Sequence, residues 1–223
     1  MIILTEIIVS LLLICSGYGA TCVYLKNGSL KKPDIRSTFY ITGNRVIYLV
    51  VAVLKSVLLI ILFNTLFSSF SHIHQLKLIV LLDCILPMAA VDFIVHKIPN
   101  QFILAALGLR VVLYIIEFIL SYEAALNTLI DNVLGAVVIG VFFFIIALVF
   151  KQSIGMGDIK LFAVMGLYQG LWGAVNSVFF SLIVSFFLSL GLLITRKKKR
   201  KDTISFGPSV FIGTLIAVSL TGI

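Results

Sequence analysis

The 223-residue chain is 61% hydrophobic and only 12% charged, with a formal net charge of +8. A soluble globular domain of this composition would expose large apolar patches and aggregate, so that class is excluded. No nucleic-acid partner is implied by the charge, because most Lys and Arg fall in two short clusters between apolar runs, as in the cytoplasmic loops of membrane proteins.

Apolar blocks occupy about 2–24, 46–67, 76–94, 100–120, 132–150, 159–175, 176–194 and 205–222. Most are long enough to cross a bilayer core, and backbone groups in lipid must pair within their own segment. The expected fold is therefore an all-α membrane protein, a polytopic bundle of about eight transmembrane helices. The first block ends in small residues (Gly17, Gly19, Ala20), as a signal peptide would, but it carries Glu6 and no basic start, and is read as a span. Cys15, Cys22 and Cys84 lie in apolar blocks without CxxC spacing, so neither a disulfide framework nor a zinc site is expected.

Lys26, Lys31, Lys32, Arg36 and Arg45 follow the first block, and the run Arg196-Lys197-Lys198-Lys199-Arg200-Lys201 precedes the last. Both clusters are assigned to the cytoplasmic face, the run at 196–201 as a topology determinant that contacts anionic lipid headgroups. Six crossings between 46 and 195 satisfy that assignment, which requires splitting 159–194 into two short helices. Both termini fall outside, as does the loop at 121–131, which has Glu123 and Asp131 but no Lys or Arg. His72 and His74 are read as outer-loop residues, a weak metal pair without further ligands, and no metal is expected.

Three charges fall well inside spans: Lys55, Asp83 and Arg110. Asp83 precedes Asp92 by two and a half turns, about 13 Å deeper in the helix. Arg110 and Lys55 reach comparable depths, and intramembrane charges usually pair, so Asp83 is expected to form a buried ion pair with Arg110 or Lys55.

The crossing count also places the connections at 92–99 and 151–158 on one face, and with them Asp92 and Asp158. Asp92 ends the third block, ahead of His96-Lys97-Ile98-Pro99-Asn100, and Pro99 suits the opening turn of the fourth span. Asp158 closes Gly155-Met156-Gly157-Asp158, where two glycines permit a tight turn and close approach of another backbone. Paired carboxyls can share one proton, so that one acts as base on a water and the other as acid, without a metal or cofactor. Helix ends suggest an asymmetry: Asp92 near the C-terminal end of its helix as the protonated partner, Asp158 near an N-terminal end and beside Lys160 as the ionised one. His96 and Lys97 read as interfacial.

Gly155-Met156-Gly157-Asp158-Ile159-Lys160 resembles the GxGDxK segment of the type IV prepilin peptidases, membrane aspartyl proteases of the GxGD class. Asp92 followed by Ile98-Pro99-Asn100 resembles that family's first catalytic motif, and Phe206-Gly207-Pro208 resembles the Phe-Gly-Pro that opens its last helix. The resemblance implies a peptidase membrane domain over 76–223, a six-helix core, with 1–75 as an N-terminal hairpin carrying a short basic loop. It implies Asp92 and Asp158 as the catalytic pair, with Gly155, Gly157, Lys160, Pro99, Asn100, Gly207 and Pro208 as supporting motif residues. The implied activity is removal of the basic leader from prepilins or pseudopilins at the cytoplasmic face of the bacterial inner membrane. The implied partner is the substrate's N-terminal segment. The family's bifunctional members carry a cytoplasmic domain, often with paired CxxC motifs, associated with N-methylation. Here the corresponding loop, about 25–45, is too short for such a domain and lacks cysteine, so methylation is not expected. The alternatives are a GxGD peptidase acting on preflagellin-like substrates and, from a different class, a proton-coupled transporter using the intramembrane charges.

Overall fold

The computed structural model describes residues 2–28, 35–150, 154–194 and 205–223, with side chains over 5–25, 46–150, 154–194 and 205–223. The basic run 196–201, together with Lys31, Lys32 and the side chains of Lys26, Arg36 and Arg45, lies outside the described residues. The elements are α1 (Ile2–Gly28), α2 (Ile35–Thr65), α3 (His72–Val95), α4 (Asn100–Leu120), α5 (Tyr122–Val149), α6 (Met156–Ile194) and α7 (Gly207–Thr221). Among the described residues there is no strand, and six of the helices are long and apolar enough to cross a membrane. The chain is a polytopic helical membrane protein.

α3 is the central element, buried along most of its length and packed against α1, α2, α4, α6 and α7. A helix apolar on every side belongs inside, and the block around Asp83 has that character. Its neighbours leave one flank for lipid, as Leu104, Ile119, Phe142 and Phe186 illustrate. α1 crosses α3 at Gly17, where an added Cβ would stand 3.3 Å from both Pro87 Cγ and the Tyr48 hydroxyl. Small residues set other crossings as well: a Cβ at Gly166 would lie 2.5 Å from the backbone nitrogen of Ala136 in α5.

α6 contains a reversal. Gly170 has φ 72° and ψ −172°, a conformation open mainly to glycine, and the helix breaks there. Before the break, Phe162 meets Phe206 at the start of α7, ring centroids 5.7 Å apart; after it, the Ser181 hydroxyl reaches the Val210 carbonyl near that same start. Gln169 and Gly173, on either side of the break, both meet Ile223 beyond the other end of α7. The two halves of α6 therefore run antiparallel. The expected split of 159–194 is present, but it falls at Gly170 rather than between 175 and 176, because the turn follows the residue that tolerates a positive φ.

Two assignments are corrected. The segment 121–131 is not a loop: only Ser121 separates α4 from α5, and Glu123 stands in the first turn of α5. That acidic first turn and the absence of Pro or Gly favour the longer helix. His72 and His74 open α3 rather than an outer loop. Ser71 caps that helix with a bond accepted from the His74 N–H, and the His74 ring reaches the Gly222 carbonyl at 2.8 Å.

Gly170→Ala is expected to lower unfolding stability in detergent micelles by about 1–3 kcal/mol, because it strains a positive φ and pushes a Cβ into the Asp131 carboxylate. Gly108→Ala, with open space around its Cβ, is the control and should be neutral or slightly stabilising.

Candidate active site

Asp92 lies one turn before the end of α3 and is only 5% exposed. The Asp92 carbonyl accepts the His96 N–H, and His96 then adopts φ 53°, turning the chain sharply out of the helix. Residues 96–99 form the short link to α4, with buried Pro99 at its N-cap and Asn100 as its first residue. Lys97 is exposed.

The carboxylate of Asp92 meets a different part of the chain. Its Oδ2 accepts a hydrogen bond of 2.8 Å from the backbone N–H of Gly207, the first residue of α7. A side chain at 207 would stand 2.9 Å from Asp92 Cβ and 3.0 Å from Ala89 Cα, so glycine is what allows this approach. Pro208 follows in the first turn, where its missing donor costs nothing. The N-terminal end of α7 is thus aimed at Asp92. That corrects the basis of the expected asymmetry: Asp92, like Asp158, has a favourable helix end beside it, so helix ends do not separate the two carboxyls.

Asp158 sits in the first turn of α6, half-buried, with its N–H bonded to the Gly155 carbonyl at 3.0 Å. Its side chain leans back over Gly155, where an added Cβ would lie 3.0 Å from Oδ2. Gly157 packs against the link before α4, since a Cβ there would come within 3.1 Å of Ile98 Cβ. Lys160 donates to Asn100 Oδ1 at 2.9 Å, a second tie between the two segments. Asp92 and Asp158 come near enough to interact electrostatically. Two carboxyls so placed, one buried and one half-buried, can divide acid and base roles.

Four of the intramembrane charges form two pairs. Asp83 pairs with Lys55 of α2, both side chains almost fully buried. Arg110 pairs instead with Glu117, in a two-pronged contact of 3.0 and 3.2 Å. Glu117 was missed because it lies toward the C-terminal end of its block. The signal was present: positions seven apart share one helix face. Arg110 also donates to the Leu167 carbonyl at 2.9 Å, as does the Tyr114 hydroxyl at 3.2 Å. Lys77, buried in the early turns of α3, was likewise not anticipated. Cys15, Cys22 and Cys84 are unpaired thiols. Among the described residues no group of three or more His, Cys, Asp or Glu side chains is placed to hold a metal ion.

Fold and site together define a polytopic membrane protein with two carboxyls set at one end of a helical bundle, each beside a glycine-built helix start. The type IV leader peptidase family matches residues 77–194, and the chain belongs to that family of peptidases. It is also similar to a prepilin leader peptidase/N-methyltransferase of Bacillus subtilis (strain 168), at 26% identity over 139 residues. That alignment covers 62% of this chain and 53% of the relative, so the chain spans about half the length of the curated relative it matches. No solved structure matches the chain.

Two outcomes are expected. Gly207→Ala should break the bond to Asp92 and cost about 1–3 kcal/mol of stability, read as lost resistance to thermal unfolding in micelles. Lys55→Met should cost about 3–5 kcal/mol by leaving Asp83 uncompensated, whereas Lys55→Met combined with Asp83→Leu should recover most of that loss in the same measurement.

Proposed function

We propose that the chain is an aspartic endopeptidase that removes the basic leader from type IV prepilins or pseudopilins, with Asp92 and Asp158 as its catalytic pair. The observation that carries this reading is that the two carboxyls, from segments far apart in sequence, lie at one end of the bundle within electrostatic reach of each other. One carboxylate takes a proton from a water as the water oxygen attacks the scissile carbonyl carbon. The other, as the acid, protonates the leaving amine nitrogen, so that water is added across the broken bond. Gly207 and the Lys160–Asn100 tie act by position, holding the two segments in register.

The reaction is assigned to the cytoplasmic face of a bacterial inner membrane. Tyr24, near the end of α1, packs on Phe102 in the first turn of α4, so α1 ends at the same end of the bundle as the two carboxyls, and the basic cluster follows it in sequence. The second half of α6 ends, and α7 begins, at that same end, and in sequence the run 196–201 falls between them. Positive loops of this kind stay cytoplasmic. The product is assigned a free, unmethylated N-terminus, since the connection between α1 and α2 is too short for a cofactor-binding fold. The transporter alternative draws less support, because Asp83 and Arg110 are each neutralised by a neighbouring side chain.

Co-expression with a prepilin should give leader removal by the wild-type chain, and a drop of at least about a thousandfold in both Asp92→Ala and Asp158→Ala. Cleavage that survived either substitution would remove the dyad. Mass spectrometry of the product should find an unmethylated N-terminus.

A further inference from the structure

Beside Asp92 the bundle holds an apolar cavity of about 420 Å³, open on one side. α1, α2, α3 and α7 enclose it, with Thr21, Val51, Ala90, Phe93, Pro208 and Ile212 among its walls. Three of these four helices lie wholly outside the family-matched segment 77–194. Two continuities tie the cavity to the candidate site. Ala89, in its wall, lies against Gly207, whose N–H holds the Asp92 carboxylate, and Pro208, also in its wall, directly follows Gly207. Along α3 the lining runs from Leu86 to Ile94, about 12 Å of helix.

We propose that this groove receives the first two turns of the apolar, membrane-spanning segment of the peptide substrate, and that the α1–α2 hairpin is the wall that selects it. The proposal rests on the peptidase reading above. A bond cleaved at Asp92 must be presented from somewhere, and the groove is an apolar surface that runs into the span of the bundle from beside Gly207, the residue that holds that carboxylate. Its volume suits about three large apolar side chains at interior packing density. α2 and α7 touch only sparsely, so the groove is reached sideways from the hydrocarbon region, the direction from which a membrane-anchored peptide arrives. A lipid chain matches the apolar walls equally but has nothing to offer the polar end. A peptide brings a backbone there, next to the carboxyl of Asp92. The Lys55–Asp83 pair and the Ser10–Ser56 hydroxyl contact of 3.0 Å fasten the hairpin, α2 to α3 and α1 to α2. These ties lie just beyond the deep end of the groove, on the side away from Asp92, and leave its open side free.

The test uses the full chain in phospholipid vesicles with a purified prepilin. Val51→Trp and Ile212→Trp, which fill the groove, should raise KM at least about tenfold and leave kcat within about threefold, the signature of lost substrate binding rather than lost chemistry. Leu104→Trp, on the lipid-facing side of α4, is the control and should change neither. In a second arm, a benzophenone side chain replaces Val51 or Leu104 in the Asp92→Asn background, which keeps the substrate uncleaved. Illumination should link the prepilin to position 51 and not to position 104. This arm decides the matter even where a tryptophan variant misfolds. Unchanged KM in both groove variants, or linkage of position 51 to lipid alone, would overturn the groove while leaving the peptidase reading intact. A wild-type chain that left the prepilin whole would overturn both.

Discussion

A carbonyl beside a helix break inside an apolar slab is stabilised by added donors, and that requirement organises much of this molecule. Gly170 breaks α6, and Leu167 lies in the last turn before the break. Arg110 and Tyr114 of α4 supply donors to that carbonyl. A guanidinium at this depth then needs its own charge balanced, which Glu117 does two turns along the same helix. The reversal so stabilised sends the second half of α6 back along α7, where Gly213 allows Ser181 to approach closely. Without the break, α6 would be a single overlong span and α7 would lose one wall.

The consequences meet at the other end of the bundle. The first half of α6 begins just before Asp158, α3 ends just past Asp92, and α7 begins at Gly207. Each junction depends on a missing side chain: Gly207 against Asp92, Gly157 against Ile98, Gly155 under Asp158. Glycine is costly in a helix, by about 1 kcal/mol against alanine, yet only glycine lets backbones and carboxyls come this near. The polar ties, Gly207 to Asp92 and Lys160 to Asn100, act on geometry already permitted by those contacts. A buried carboxylate held by a backbone donor, with a second carboxyl within electrostatic reach, is the arrangement on which the proposed hydrolysis rests.

The α1–α2 hairpin shows how the parts cooperate. By composition it is two plain apolar helices. In the fold, Gly17 brings α1 against Pro87, and the Lys55–Asp83 pair anchors α2 to the central helix. The apolar groove beside Asp92 exists only because both helices are held there.

The sequence by itself determined the membrane class, the helical state of each block and the residues able to carry chemistry, because these depend on composition and local backbone rules. Asp92, Asp158 and the two glycine-bearing motifs were legible as residues, and loop charge was enough to argue for a shared face. Helix ends were legible only where a breaker marked them: Pro99 announced α4, whereas 122–131 offered no breaker and was misread as loop. The turn at Gly170 was misplaced by several residues, since length dictates that a long block must fold back but not where. Partner choice was decided by tertiary structure alone. Lys55, Asp83 and Arg110 have similar depth in sequence, but rotation and crossing of α2, α3 and α4 give Asp83 to Lys55 and Arg110 to Glu117. The donor that holds Asp92 was equally hidden, because a backbone N–H has no signature in sequence. It acts on that carboxylate only when α7 is packed against the end of α3.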